Sequence, residues 1–279
     1  MTWFLTDDLD EFTTTAGEFL RADPAANTLG LTIVDNLAKR GTQAYGPDAP
    51  RFGWWQPRGK AVAGAFLRTP PHPAVLSGLP AEAVAPLMEL LSDVDDINAE
   101  SGVARAIGAI WARRDRREPV VRRQTRLYRL VDLVWPYPTP AGRARPAEAA
   151  DRDLLLGWYD LFHREVGEEA GFIDAVVDDR ISYGGLTIWE VDGEPVSMAG
   201  RTRPTAGMIR VGPVFTPTAL RRHGYAAAAT AQVSQEAREI ADDVLLFTDL
   251  ENPTSNAIYQ RLGYRPVHDR WVIAALGPA

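Results

Sequence analysis

The chain contains no cysteine. That excludes disulfides, thiolate metal sites and a thiol nucleophile together. Histidine is scarce as well, with four scattered copies, so no zinc centre, and no metal of any kind, is expected. Lysine is nearly missing: of 30 basic residues only Lys39 and Lys60 are not arginine, a bias that fits GC-rich coding. No run approaches the roughly 18 apolar residues that a membrane span needs. The opening residues, Met1 to Asp8, lack the basic stretch and apolar core of a secretory signal, which makes a cytoplasmic location the expectation. The net charge is −7, which argues against nucleic acid or an anionic membrane as a partner.

What is present describes a globular protein. The chain is 46% hydrophobic and 24% charged, and 279 residues suffice for two domains of common size. Prolines gather in Trp135 to Pro146. Each blocks helix propagation and biases its predecessor toward extended backbone. The reading is therefore a domain over 1–135, a Pro-rich linker over 136–146 and a second domain over 147–279.

In the second half, Leu154, Leu155, Trp158, Tyr159 and Phe162 mark one face of a helix over Asp151 to Val166. Gly185 to Val191 and Pro195 to Arg201 read as a hairpin turned at Asp192-Gly193. A strand follows over Met208 to Thr216, then a helix from Tyr225 to Ile240 and a strand from Val244 to Thr248. A helix from Pro253 to Leu262 and final strands over Tyr264 to Val267 and Trp271 to Ala275 complete the half. The first half has parallel pieces: a hairpin of Arg51 to Gln56 with Ala61 to Arg68, a short strand Ala74 to Leu76, helices Ala81 to Leu91 and Val103 to Ala112, and a strand Gln124 to Val134. This alternation gives a mixed α/β fold, an α+β mixed sheet, repeated in tandem.

Two segments carry the chemistry. Arg221-Arg222-His223-Gly224-Tyr225-Ala226 joins the strand ending at Thr216 to an Ala-rich helix. A strand, a turn with small residues and a helix N-terminus present free N–H groups to an anion, and Gly224 and Ala226 leave room for it. Further on comes Asn252-Pro253-Thr254-Ser255-Asn256-Ala257-Ile258-Tyr259, closed by Gly263-Tyr264. After the first-half strand Ala74 to Leu76, Ser77-Gly78-Leu79-Pro80-Ala81 has no basic residue followed by two small ones. Only the second copy keeps the phosphate loop.

With its Arg221, Gly224 and Ala226 spacing and its Asn252, Tyr259, Gly263 and Tyr264 series, the second half resembles the GNAT superfamily of acyl-CoA-dependent N-acetyltransferases. The first half resembles a degenerate copy. The resemblance implies that acetyl-CoA, or another acyl-CoA, is the co-substrate. Main-chain amides of Arg222, His223, Gly224, Tyr225 and Ala226, with Arg221, would hold its pyrophosphate. Val214, Phe215 and Thr216 would line the pantetheine arm and offer an N–H to the thioester oxygen. Asn252 and Asn256 would contact the cofactor, with Asn252 close to the chemistry, and Tyr259 would be the general acid that protonates the departing thiolate. The partner implied is an amine acceptor, a small molecule or a peptide; the alternative is an acyl-CoA-binding sensor without turnover.

Other features weigh less. Glu165, Glu168, Glu169, Asp249 and Glu251 are candidates for the base that deprotonates the amine. Arg113, Arg114, Arg116, Arg117, Arg122, Arg123, Arg126 and Arg129 read as a solvated helix end and strand, or as a receptor for a carboxylate or a nucleotide phosphate. Trp54 and Trp55 alternate faces of a strand, which predicts one in the core and one free to line a cleft.

Overall fold

A computed structural model describes residues 2–167 and 173–277. Glu168 and Glu169 lie outside the described residues. The chain divides into two compact units. Unit 1 is Met1–Leu127, Asp249–Glu251 and Val267–Ala279; unit 2 is Tyr128–Thr248 and Asn252–Pro266. No helix among the described residues is long and apolar enough to cross a membrane.

Unit 1 begins with β1 (Thr2–Thr6), α1 (Leu9–Ala22) and α2 (Thr28–Arg40). Asp8 starts α1 by accepting the N–H groups of Asp10 and Glu11 at 2.8 and 3.1 Å, the usual role of a short acidic cap. Then come β2 (Arg51–Gln56), β3 (Gly64–Arg68), β4 (Ala74–Ser77), α3 (Ala81–Leu90), β5 (Asp96–Glu100), α4 (Ser101–Ile110) and β6 (Glu118–Leu130), whose last three residues belong to unit 2. Pairing is antiparallel along β1, β2, β3 and β4, and parallel between β4 and β5. α3 and α4 cover a core that includes Trp3, Phe66, Leu87, Ile97 and Trp111.

Unit 2 repeats the plan: β7 (Arg143–Pro146), α5 (Arg152–Val166), α6 (Ile173–Ser182), β8 (Leu186–Val191), β9 (Glu194–Arg201), β10 (Met208–Phe215), α7 (Tyr225–Arg238), β11 (Asp243–Asp249), α8 (Pro253–Arg261) and β12 (Tyr264–Leu276). Its strands follow the order β11, β10, β9, β8, β7. β7, β8, β9 and β10 are antiparallel, and β10 and β11 are parallel with α7 between them in sequence. α7 buries Ala228, Ala229, Thr230, Ala231, Val233, Ser234 and Ala237. Small side chains let it lie close to the strands beneath it. Its buried hydroxyls are satisfied locally, Thr230 on the Ala226 carbonyl at 2.7 Å and Ser234 against the Tyr264 hydroxyl at 2.6 Å.

Several expectations need correction. The Pro-rich stretch lies inside unit 2, and its last residues form β7 on β8. β7 is fastened there by Arg145, which donates to Asp151 at 2.7 and 2.8 Å and to Glu190 at 2.7 Å. The long strand of the first half runs Glu118–Leu130 rather than from Gln124 to Val134. The two final strands are one, β12, which starts in unit 2 and ends in unit 1, where it pairs antiparallel with β5. Trp54 and Trp55 are both buried: Phe4 stacks on one, and Trp3 packs against the other. β1 supplies a partner for each face, so neither ring is free. In the arginine cluster, Arg114, Arg117, Arg126 and Arg129 are paired with Asp115, Asp95, Asp269 and Asp243.

Candidate active site

The centre of unit 2 is a place where two parallel strands part. β10 and β11 pair over Met208 to Arg210 and Asp243 to Leu245, and the ladder ends there although both strands continue. On the other side, the register of β10 with β9 shifts between Val211 and Val214, around Gly212 and Pro213. Proline offers no N–H to a ladder, and an extra residue in one strand bends it. Past the bulge Val214 and Phe215 pair with β9 and no longer with β11, which leaves a slot between the two parallel strands.

From the end of β10 the chain makes one 3-10 turn, Thr218–Leu220, and reaches Arg221 to Gly224, the stretch read from sequence as a phosphate loop. Arg221, Arg222, His223 and Gly224 are exposed. Arg222 and Gly224 both take positive φ, 68° and 85°. Alternation of left- and right-handed backbone turns successive N–H groups inward, which is the geometry of an anion nest. Gly224 starts α7 without any side-chain cap, so the first-turn N–H groups of α7 point at the loop with no side chain to satisfy them. A Cβ on Gly224 would meet the ring of Pro140 at 3.7 Å. The Pro-rich stretch thus forms one side of the loop. His223 and Tyr225 stack with ring centroids 5.4 Å apart.

The rest of the loop is tied down. Arg221 donates to the Thr216 carbonyl at 2.9 Å and pairs with Glu165 of α5 at 2.5 Å. Ser197 of β9 donates to the Phe215 carbonyl at 3.0 Å and shares a hydrogen bond of 2.8 Å with the Thr216 hydroxyl. Phe215 packs on Trp158. Of the candidate bases, Glu165 is thereby held by the loop, and Asp249 accepts the N–H of Glu251 at 2.7 Å.

The second motif starts α8 from the end of β11. Asn252 caps the helix by accepting the Ser255 N–H at 3.0 Å. Asn256 donates to the Asn252 carbonyl at 2.8 Å and accepts from the Tyr128 hydroxyl at 2.9 Å. Tyr259 lies edge-on to Tyr264 and in one apolar cluster with Val211, Ala228 and Leu246, against which Val214 and Tyr225 also pack. Burial pushes its hydroxyl up to about 12, so it stays protonated at neutral pH. The structure therefore gathers Val214, Tyr225 and Tyr259 around the slot. It gives Asn252 and Asn256 hydrogen-bonding work within α8.

Unit 1 has the same strands but no such opening. Its ladder between β4 and β5 stops after Val75 and Asn98. There the buried guanidinium of Arg270 donates to the carbonyls of Leu76 and Asn98 and to the Asn98 side chain at 2.8–2.9 Å. The turn before α3 is filled as well: a Cβ on Gly78 would lie 2.7 Å from the Phe19 ring. Arginine closes in unit 1 what is open in unit 2.

Comparison with known proteins agrees with this geometry. The family described as FR47-like protein matches residues 191–272, less than half of the chain. No curated protein matches it. Among solved structures, the chain is similar to a Drosophila protein at TM-score 0.65 and 16% identity, covering 99% of this chain and 98% of that one. A GCN5-related N-acetyltransferase from Sphaerobacter thermophilus follows at 0.63 and 14%, covering 99% and 96%. A tandem GNAT protein from the clavulanic acid biosynthesis pathway aligns over 100% of both chains, at 0.50 and 15%. The fold is the tandem GNAT fold. Within the GNAT fold of unit 2, the sequence reading placed Tyr159 on the buried face of α5 and passed over Arg180, which reaches the bulge at Gly212 beside that ring. Gly212-Pro213 inside a strand pattern was the available signal for that bulge. Arg180 sits in an ordinary polar helix, which offered none.

Proposed function

We propose that unit 2 binds an acyl-CoA and transfers its acyl group to an amine. The observation that carries this reading is continuous: strands that part after Arg210, a bulge, and then a loop that aims uncapped N–H groups of α7 at one point. The nest and the basic side chain of Arg222 fit a pyrophosphate, while Arg221 holds the loop to α5 through Glu165. The slot fits an extended thiol-bearing arm.

In this reading the neutral amine attacks the thioester carbon. An N–H at the end of β10, in the Val214 to Thr216 stretch, stabilises the oxyanion; losing a donor of this kind costs about 3 kcal/mol in the barrier. The C–S bond then breaks, and the Tyr259 hydroxyl gives its proton to the sulfur. The proton lost by the amine passes to solvent and replaces it. No covalent enzyme intermediate is needed, consistent with a chain that has no cysteine.

Calorimetric titration of acetyl-CoA into the protein, with a Gly224→Glu variant beside it, tests the donor site. Glutamate places bulk and negative charge in the nest, so binding should vanish. Gly224→Asn, which tolerates the left-handed backbone and adds bulk without charge, should bind more weakly than the unaltered protein and more tightly than Gly224→Glu. Absence of binding by the unaltered protein would remove the proposal.

A further inference from the structure

We infer that the amine acceptor also carries a carboxylate, and that Arg180 and the Tyr159 hydroxyl receive it beside the bulge of β10. The inference rests on the acyl-transfer reading of unit 2 and adds the class of acceptor. Arg180, on α6, reaches over β9 to donate to the Gly212 carbonyl, and its guanidinium lies against Gly200. It also stands 5.9 Å from the centre of the Tyr159 ring.

Nearby acids are already committed. Asp174 and Asp178 pair with Arg152, Asp179 with Arg203, and Glu165 with Arg221. Among the described residues no carboxylate pairs with Arg180. A half-buried guanidinium with donors to spare is a ready partner for a planar anion.

A second, independent observation lies beside it. Tyr159 is only 2% exposed, and its hydroxyl, with the Arg180 guanidinium beside it as a donor, meets no acceptor for its own proton. Buried hydroxyls nearly always find one, because leaving the group unmet costs about 1–3 kcal/mol. Burial pushes Tyr159 up to about 12, so it remains a donor at neutral pH. The guanidinium beside it can only donate, so the proton of Tyr159 awaits an acceptor from outside the protein. Arg201 adds positive charge nearby, with its guanidinium 5.6 Å from the Tyr183 ring and its Nε buried without a partner.

The position matches the chemistry. Gly212 precedes Val214 by two residues, about 7 Å along an extended strand. An acceptor with its carboxylate at Arg180 can bring an amine to the acyl carbon across a short chain. A simple polyamine, with no anion and several positive charges, is disfavoured by the same arginines.

The test is calorimetry of matched acids and carboxamides into the full chain in the presence of CoA: glycine, 4-aminobutyrate, 5-aminopentanoate and glycylglycine, each beside its amide. At least one acid should bind tenfold or more tightly than its amide. Arg180→Gln should erase that preference, and Arg180→Lys should restore part of it. Tyr159→Phe keeps the ring and removes only a hydroxyl whose proton has no acceptor in the protein, so it should weaken acid binding severalfold without lowering Tm. Equal binding of acids and amides, no binding of either, or a preference that survives Arg180→Gln overturns the inference. Failure of the acyl-transfer reading shows differently, as absent acetyl-CoA binding in the Gly224 titration while the acid preference persists.

Discussion

Tyr259 illustrates how much a single residue's surroundings decide. From sequence it is a tyrosine at a family-like spacing; in the fold it is buried against Tyr264 within an apolar cluster. Because burial raises it to about 12, a bound thiolate would meet a protonated phenol across the whole neutral range. Tyr259→Phe should therefore lower kcat about 100-fold, the scale of a lost general acid, and leave acetyl-CoA affinity unchanged. The unaltered protein should show no alkaline loss of kcat from this group until pH passes 10, since a raised pKa keeps the proton on. Steady-state rates from pH 6 to 10 check both points, and an undiminished kcat in the variant removes Tyr259 from the chemistry. The two asparagines show the limit of reading roles from spacing. The resemblance gave Asn252 a cofactor contact, and in the fold its side chain caps α8 by accepting the Ser255 N–H. The bond from Tyr128 to Asn256 joins residues 128 apart in sequence, which no local pattern could disclose.

At the scale of elements, the second half was legible because its signals are local. The Asp192-Gly193 turn, the proline at the start of α8 and the apolar stripe of α5 each fix structure within a few residues. What escaped was set by distant partners. β7 reads as linker because Arg143 to Pro146 becomes a strand only by pairing with β8 and by the grip of Asp151 and Glu190 on Arg145. Gly263 closes the second motif just past α8, where a glycine is a common helix stop, and it does more than that. The chain after β6 returns against the end of α8, where the N–H groups of Val131 and Val134 bond the carbonyls of Gly263 and Leu262 at 3.2 and 3.0 Å. Gly263 has φ 97°, and a Cβ there would fall on the Asp132 carbonyl. Gly263→Ala should cost about 3 kcal/mol, strain plus collision. Gly193→Ala is the comparison: φ is 86° with no atom within 4 Å, so only strain of about 1 kcal/mol applies. Urea unfolding of the two variants separates them; equal losses would mean that the segment after β6 does not press on α8.

For the whole molecule, the tandem plan is visible in sequence as a repeated order of elements, yet the chain is not two beads in succession. A pattern of strands and helices says what each segment is and not which strand it joins. β12 follows α8 of unit 2 but adds to β5 of unit 1, placing Trp271 and Ile273 at the unit 1 core and Arg270 between β4 and β5. Unit 1 is therefore incomplete until the last strand of the chain is made. A protein ending at Pro266 keeps every residue of unit 2 and loses the edge partner of β5. It also leaves the carbonyls of Leu76 and Asn98 without the Arg270 donors, at about 1–3 kcal/mol for each buried acceptor. Such a truncation should unfold unit 1 well below the melting temperature of the full chain, and a peptide covering residues 267–277 should restore part of the loss. On the proposed reading acetyl-CoA affinity should persist, because the slot and the Arg221 to Gly224 loop belong to unit 2. Thermal unfolding followed by circular dichroism, with the peptide titrated in, reads the first effect, and calorimetry reads the second. An unshifted melting temperature would show that unit 1 stands without its borrowed strand, and that Arg270 fills a gap the fold could leave open.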